Sequence, residues 1–70
     1  MRLSTRNQLA GTLTEVRLGS VMATVKVRLA GGDQVVTASI TKEAAEDLGL
    51  AEGGDVTVLV NSTEVMLGVE

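Results

Sequence analysis

Three short stretches of this chain gather hydrogen-bond donors. Residues 4–11 read STRNQLAG, bringing a hydroxyl (Ser4), a guanidinium (Arg6) and a carboxamide (Asn7) together just ahead of the first long apolar alternation. A planar guanidinium fork matches the oxygens of an oxyanion, and a neighbouring hydroxyl can donate one more bond. The second stretch is TKEA, 41–44. The first turn of a helix has unpaired N–H groups at the positive end of its dipole, so Lys42 to Ala44 can offer backbone donors to an anion, and Thr41 adds a hydroxyl. The third is NST, Asn61–Thr63, between two apolar runs. Each stretch also has a plainer reading: a surface tail carrying an arginine, a capping residue serving its own helix, and an accidental match to a glycosylation acceptor. None of the three is specific alone.

Covalent and acid–base chemistry is poorly served. The 70 residues include no His, Cys or Tyr, which leaves nine carboxylates as candidate acids and bases. Three of these, Glu43, Glu46 and Asp47, sit in TKEAAEDLG, where charges on the outer face of a short helix are solvated. AGGD (30–33) and EGGD (52–55) read as turns rather than phosphate-binding loops. The expectation is a protein that is not an enzyme, with no cofactor and no bare metal cation. A net charge of −3 and the absence of Phe, Trp and Tyr also argue against a nucleic-acid binder, which needs a basic footprint and, for single strands, aromatic stacking platforms. No apolar run approaches the roughly 20 residues of a membrane span, and no secretory signal precedes the domain. A cytoplasmic protein without membrane contact is expected.

The elements that must position these donors are legible as alternations. SVMATVKVRL, 20–29, places Val21, Ala23, Val25, Val27 and Leu29 on one face with period two. Residues 9–18 are apolar at Leu9, Gly11 and Leu13 and then change phase to Val16 and Leu18, as a β-bulge would require. LG at 18–19 joins the two as a hairpin. AGGD leads to a third strand, 34–40. Thr41 is an N-cap for a helix over Lys42 to Leu48 with Ala45 and Leu48 on one side, Gly49 fits the C′ position and Leu50 the contact beyond it. AEGGD turns into a fourth strand, 55–61, with Val56, Val58 and Val60 on one face, and Thr63 to Val69 alternate as a fifth. Residues 1–8 fall outside this pattern, as a free tail or a strand added to a neighbour.

Three strands, a short helix and two strands in one domain, 1–70, fit an all-β, five-stranded OB-type Greek-key barrel with the helix between strands three and four. An SH3-like barrel is the alternative, and it would not require that helix. Such a core holds only aliphatic side chains, each contributing about 1.5–3 kcal/mol when fully buried, against roughly 1–2 kcal/mol of backbone entropy per ordered residue. With no cysteine or histidine to staple it, a monomer this small is marginal, and self-association is the remaining remedy.

The spacing of the motifs is more telling than any one of them. S-x-R-N-Q-L-x-G, then G-S-V-M, then S-I-T-K-E leading to L-G-L-x-x-G, and finally S-T-E-V-M-L resemble the molbindin (Mop) family of molybdate-binding proteins from about Leu3 to Leu67. The resemblance implies an OB-type fold, a homohexamer built as a trimer of dimers, and binding, storage or buffering of molybdate or tungstate between subunits. It implies an interface oxyanion site in which Ser4 and Arg6 come from one subunit and Thr41, with Lys42 at the helix start, from another; Asn61 and Ser62 fall on the same site. Gly19, Ser20 and Val21 match a second class of site near the threefold axis, supplied largely by main-chain groups. Two positions depart from the family: Asn61 stands where many relatives have lysine, and Ala44 where many have serine. One charge and one hydroxyl are thereby missing from the interface site. A rival reading is a regulatory or scaffolding module that keeps the assembly and has weak or lost oxyanion binding. An OB-type oligonucleotide binder is a more distant one.

Overall fold

The computed structural model describes residues 4–70. Strands β1 (Asn7–Leu18), β2 (Met22–Leu29) and β3 (Val35–Thr41) are followed by helix α1 (Lys42–Asp47), strand β4 (Asp55–Val60) and a 3-10 turn at Ser62–Glu64. All neighbouring strands are antiparallel, in the spatial order β3-β2-β1-β4. Three strands thus follow one another through short turns, and the fourth returns through α1 to lie beside the first. The sheet is open and curls around its apolar face. Leu13, Val25 and Val27 are buried there, with Val16, Ala38, Leu50, Val56 and Val58 packed against them.

The phase change in β1 is a bulge. Leu13 pairs with Val27 and Glu15 with Lys26, leaving Thr14 without an opposite residue. The Thr14 hydroxyl donates to the Lys26 carbonyl at 3.3 Å. The extra residue lets Leu13 and Val16 both face inward while the strand bends. Both ends of α1 carry the chemistry that their residues suggest. Thr41 Oγ1 accepts from the Ala44 amide at 3.1 Å. Gly49, at φ +64°, sends its N–H to the Glu46 carbonyl at 3.0 Å, and Leu50 sends its own to Ala45 at 3.1 Å. This is the paired bonding of a Schellman ending, in which glycine takes the left-handed conformation. Leu50 then packs on the core, but Leu48 is 70% exposed instead of sharing a buried side with Ala45.

Two further expectations are corrected. The described residues form four strands, not five: Ser62–Glu64 is a 3-10 turn, and residues 65–70 pair with no described strand. The Glu64 amide donates to the Asn61 carbonyl at 2.9 Å and takes the chain off the line of β4. Alternation marks a segment fit for a half-buried surface, but within one chain this segment has no strand beside it, and Leu67 and Val69 are more than 90% exposed. The second correction is at the other terminus. Asn7 and Gln8 belong to β1 and pair with Val60 and Leu59; residues 1–3 of the expected tail lie outside the described residues.

Candidate functional site

Strand register decides which donors meet. Asn7 pairs with Val60, so Arg6, just ahead of β1, lies at the same end of the sheet as Asn61, just beyond β4. Ser4 and Ser62 flank them in sequence, and all four residues are exposed. At the far end of β1, Leu18 pairs with Ala23 and Met22 with Thr41, which carries the helix start to the tip of the β1–β2 hairpin. The Lys42 amide donates to the Val21 carbonyl there at 2.8 Å. A hollow of about 390 Å³ opens at this corner, lined by Ser20, Val21, Thr41, Lys42, Glu43 and Glu46.

The six residues assigned to one interface site therefore fall into two groups. Ser4, Arg6, Asn61 and Ser62 occupy one end of β1; Thr41 and Lys42 occupy the other, together with Ser20 and Val21 of the second site class. A strand of 12 residues at about 3.3 Å per residue spans well over 30 Å when straight, and bending shortens this only in part. Hydrogen bonds to an ion reach about 3 Å. No single oxyanion can touch both groups of one chain.

Each group has its own electrostatics. Among the described residues the one ion pair is Arg17 with Glu15 at 3.9 Å, so the Arg6 charge is not neutralised by a described carboxylate. Asn61 caps the 3-10 turn in an extended conformation without a side-chain cap bond, which leaves its carboxamide available. The expected set of helix-start amides is reduced. The Lys42 amide is taken by Val21 and the Ala44 amide by Thr41, leaving that of Glu43. Thr41 accepts through its oxygen and can still donate its hydroxyl proton outward. Gly19 donates its amide to the Met22 carbonyl at 2.8 Å, and a Cβ at Gly19 would lie 2.8 Å from that same oxygen. The tight hairpin tip thus depends on glycine.

Sequence reading treats Glu43 and Glu46 as merely solvated, whereas both line the hollow with Lys42. The signal lies in the placement of the helix directly after β3, whose last residue must sit beside the start of β2. A larger hollow, about 480 Å³, lies over Ala10, Thr12, Asp55 and Thr57. Its one charged lining group is a carboxylate, so it is no place for an oxyanion. Among the described residues no three His, Cys, Asp or Glu side chains group to hold a metal ion, and no helix is long and apolar enough to cross a membrane.

Residues 3–67 match the TOBE domain model. Molybdenum-pterin-binding protein 3 of Clostridium pasteurianum is 45% identical over 67 residues, covering 96% of this chain and 97% of that protein. Among solved structures, MopII from the same organism superposes with a TM-score of 0.90 at 37% identity, covering 97% of this chain and all of that one. The cytoplasmic molybdate-binding protein ModG, solved with molybdate bound, gives a TM-score of 0.91 at 40% identity, with all of this chain matched to 49% of that one.

Proposed function

This chain belongs to the TOBE-domain family and, within it, to the molbindins (Mop); on that premise we propose that it binds molybdate or tungstate in the cytoplasm and stores or buffers the oxyanion at sites shared between copies of itself. The observation that carries the shared-site reading is the separation of the two donor groups to opposite ends of β1. Each group alone is an incomplete oxyanion site. Arg6 supplies charge with a forked donor, Ser4, Asn61 and Ser62 add neutral donors, and a second copy brings the Thr41 hydroxyl and Lys42. Ser20 and Val21, with Gly19 shaping the turn, form the second class of site around the symmetry axis. No step of this function calls for catalysis.

The surface of the chain supports self-association. It exposes 5572 Å², about a third more than the roughly 4100 Å² expected of a folded monomer of its mass. The excess exceeds the roughly 800 Å² that one partner contributes to a standard interface. It includes the apolar tail Val65, Met66, Leu67 and Val69, and Leu48 and Leu59 at an apolar hollow of about 250 Å³ lined from all four strands and the end of α1. A homohexamer, three dimers around a threefold axis, is the assembly this reading takes from the family.

A second reading, an oligomeric regulatory or scaffolding module with weak or lost oxyanion binding, is favoured by Asn61 in place of a lysine and by the two carboxylates that share the hollow with Lys42. Calorimetry with molybdate, tungstate and sulfate, alongside sedimentation at the same concentrations, separates the two. The shared-site reading expects molybdate and tungstate to bind the oligomer. Oligomers that take up none of the three anions leave only the scaffold.

A further inference from the structure

Asn7 and Gln8 follow Arg6 directly, and sequence reading counts the Asn7 carboxamide among the donors gathered for a ligand. The structure spends it elsewhere. Asn7 Nδ2 donates to the Val60 carbonyl at 3.2 Å, a half-buried bond across the β1–β4 pair. Gln8 Nε2 donates to the Thr5 carbonyl at 3.0 Å. The first bond ties the residue after Arg6 to the residue before Asn61, and the second closes the backbone from Thr5 to Gln8 around Arg6. Asn7–Val60 is also the last register pair of β1 with β4, where a ladder frays most readily.

We infer that Asn7 is a positioning residue of the oxyanion site: its carboxamide holds Arg6 beside Asn61 and does not touch the ion, and Gln8 holds the same segment from its other side. The inference rests on the reading that Arg6 and Asn61 line one site. A guanidinium on a frayed strand end must be ordered each time an ion binds, and that ordering subtracts from affinity. A strand end fastened by side-chain bonds meets the cost during folding instead.

A double-mutant cycle in molybdate calorimetry tests this with the wild type, Arg6→Ala, Asn7→Ala and the double variant. Asn7→Ala should lower affinity on the order of fivefold while Arg6 is present. In the Arg6→Ala background it should add nothing, because there is no guanidinium left to position. Amide exchange should quicken over residues 5–7 and at Asn61, and stay unchanged at Val25 and Val27. Equal losses in both backgrounds would mean that Asn7 contacts the ion itself; an unchanged affinity for Asn7→Ala, whatever its thermal midpoint, would make the bond merely structural. Either result overturns the inference while leaving the site standing. If Arg6→Ala alone leaves affinity unchanged, the site reading fails and the inference falls with it. Should Asn7→Ala not fold, Gln8→Ala, which breaks only the exposed bond to Thr5, completes the same cycle with the same expected outcomes.

Discussion

Arg6 is a single charge set ahead of a strand, and its worth depends on what shares its end of the sheet. It precedes the first β1 pair and is exposed, so Arg6→Ala should leave the thermal midpoint unchanged. A charge-assisted hydrogen bond contributes about 1.5–3 kcal/mol, so molybdate affinity should fall roughly tenfold or more, as read by calorimetry. Asn61 allows the opposite experiment. On the shared-site reading an ammonium there would lie near a dianion covered by the second copy, where unit charges about 4 Å apart attract by roughly 4 kcal/mol at an effective dielectric near 20, before desolvation and side-chain ordering are subtracted. Asn61→Lys should therefore tighten molybdate binding by a net of about 1 kcal/mol, with the gain shrinking as salt rises. Weaker binding with the oligomer intact would identify the asparagine as a specialised ligand instead.

At the scale of elements, Thr41 caps α1 and, on the proposed reading, also donates to the ion, and substitution can separate the two. Aspartate caps a helix as well as threonine does but brings a carboxylate to where the proposed site would hold an oxyanion. Thr41→Asp should keep the thermal midpoint and abolish molybdate binding, whereas Thr41→Ala should cost about 1 kcal/mol of stability and weaken binding less. Thermal melts and calorimetry on the two variants check the pair. The elements themselves were largely legible in the sequence. Period two in 20–29, the phase slip between Leu13 and Val16, and the Thr41 and Gly49 caps all follow from local chemistry that a single chain can satisfy. Thr63–Val69 misled because its alternation describes a face without naming what covers it. The candidate site was legible as residue types but not as a constellation. That Arg6 shares an end of the sheet with Asn61, and that Lys42 lines one hollow with Ser20 and Val21, depends on register across β1–β4 and β2–β3, which no local window of sequence contains. The carboxylates of Glu43 and Glu46 entered the hollow for the same reason.

For the whole molecule, the small core and the large exposed surface argue one way. Only Leu13, Ala23, Val25, Val27 and Ala45 are buried apolar residues among those described, while Met66, Leu67 and Val69 stand more than 90% exposed. A chain with that balance should sediment as an oligomer at micromolar concentration, and dilution to monomer should unfold it and release bound molybdate together. The central claim, that one ion is held by two copies, has a more direct test in mixed oligomers. Arg6→Ala chains lack the charge at one end of β1, and Thr41→Asp chains lack a usable helix start at the other, so neither homo-oligomer should bind molybdate tightly at the interface. Co-refolded together, the two variants bring the intact Arg6 of one copy against the intact Thr41 of its neighbour. Calorimetry on the mixture should recover part of the wild-type affinity at reduced stoichiometry. Mixed oligomers, verified by mass, that bind no better than the two variants apart would contradict the account.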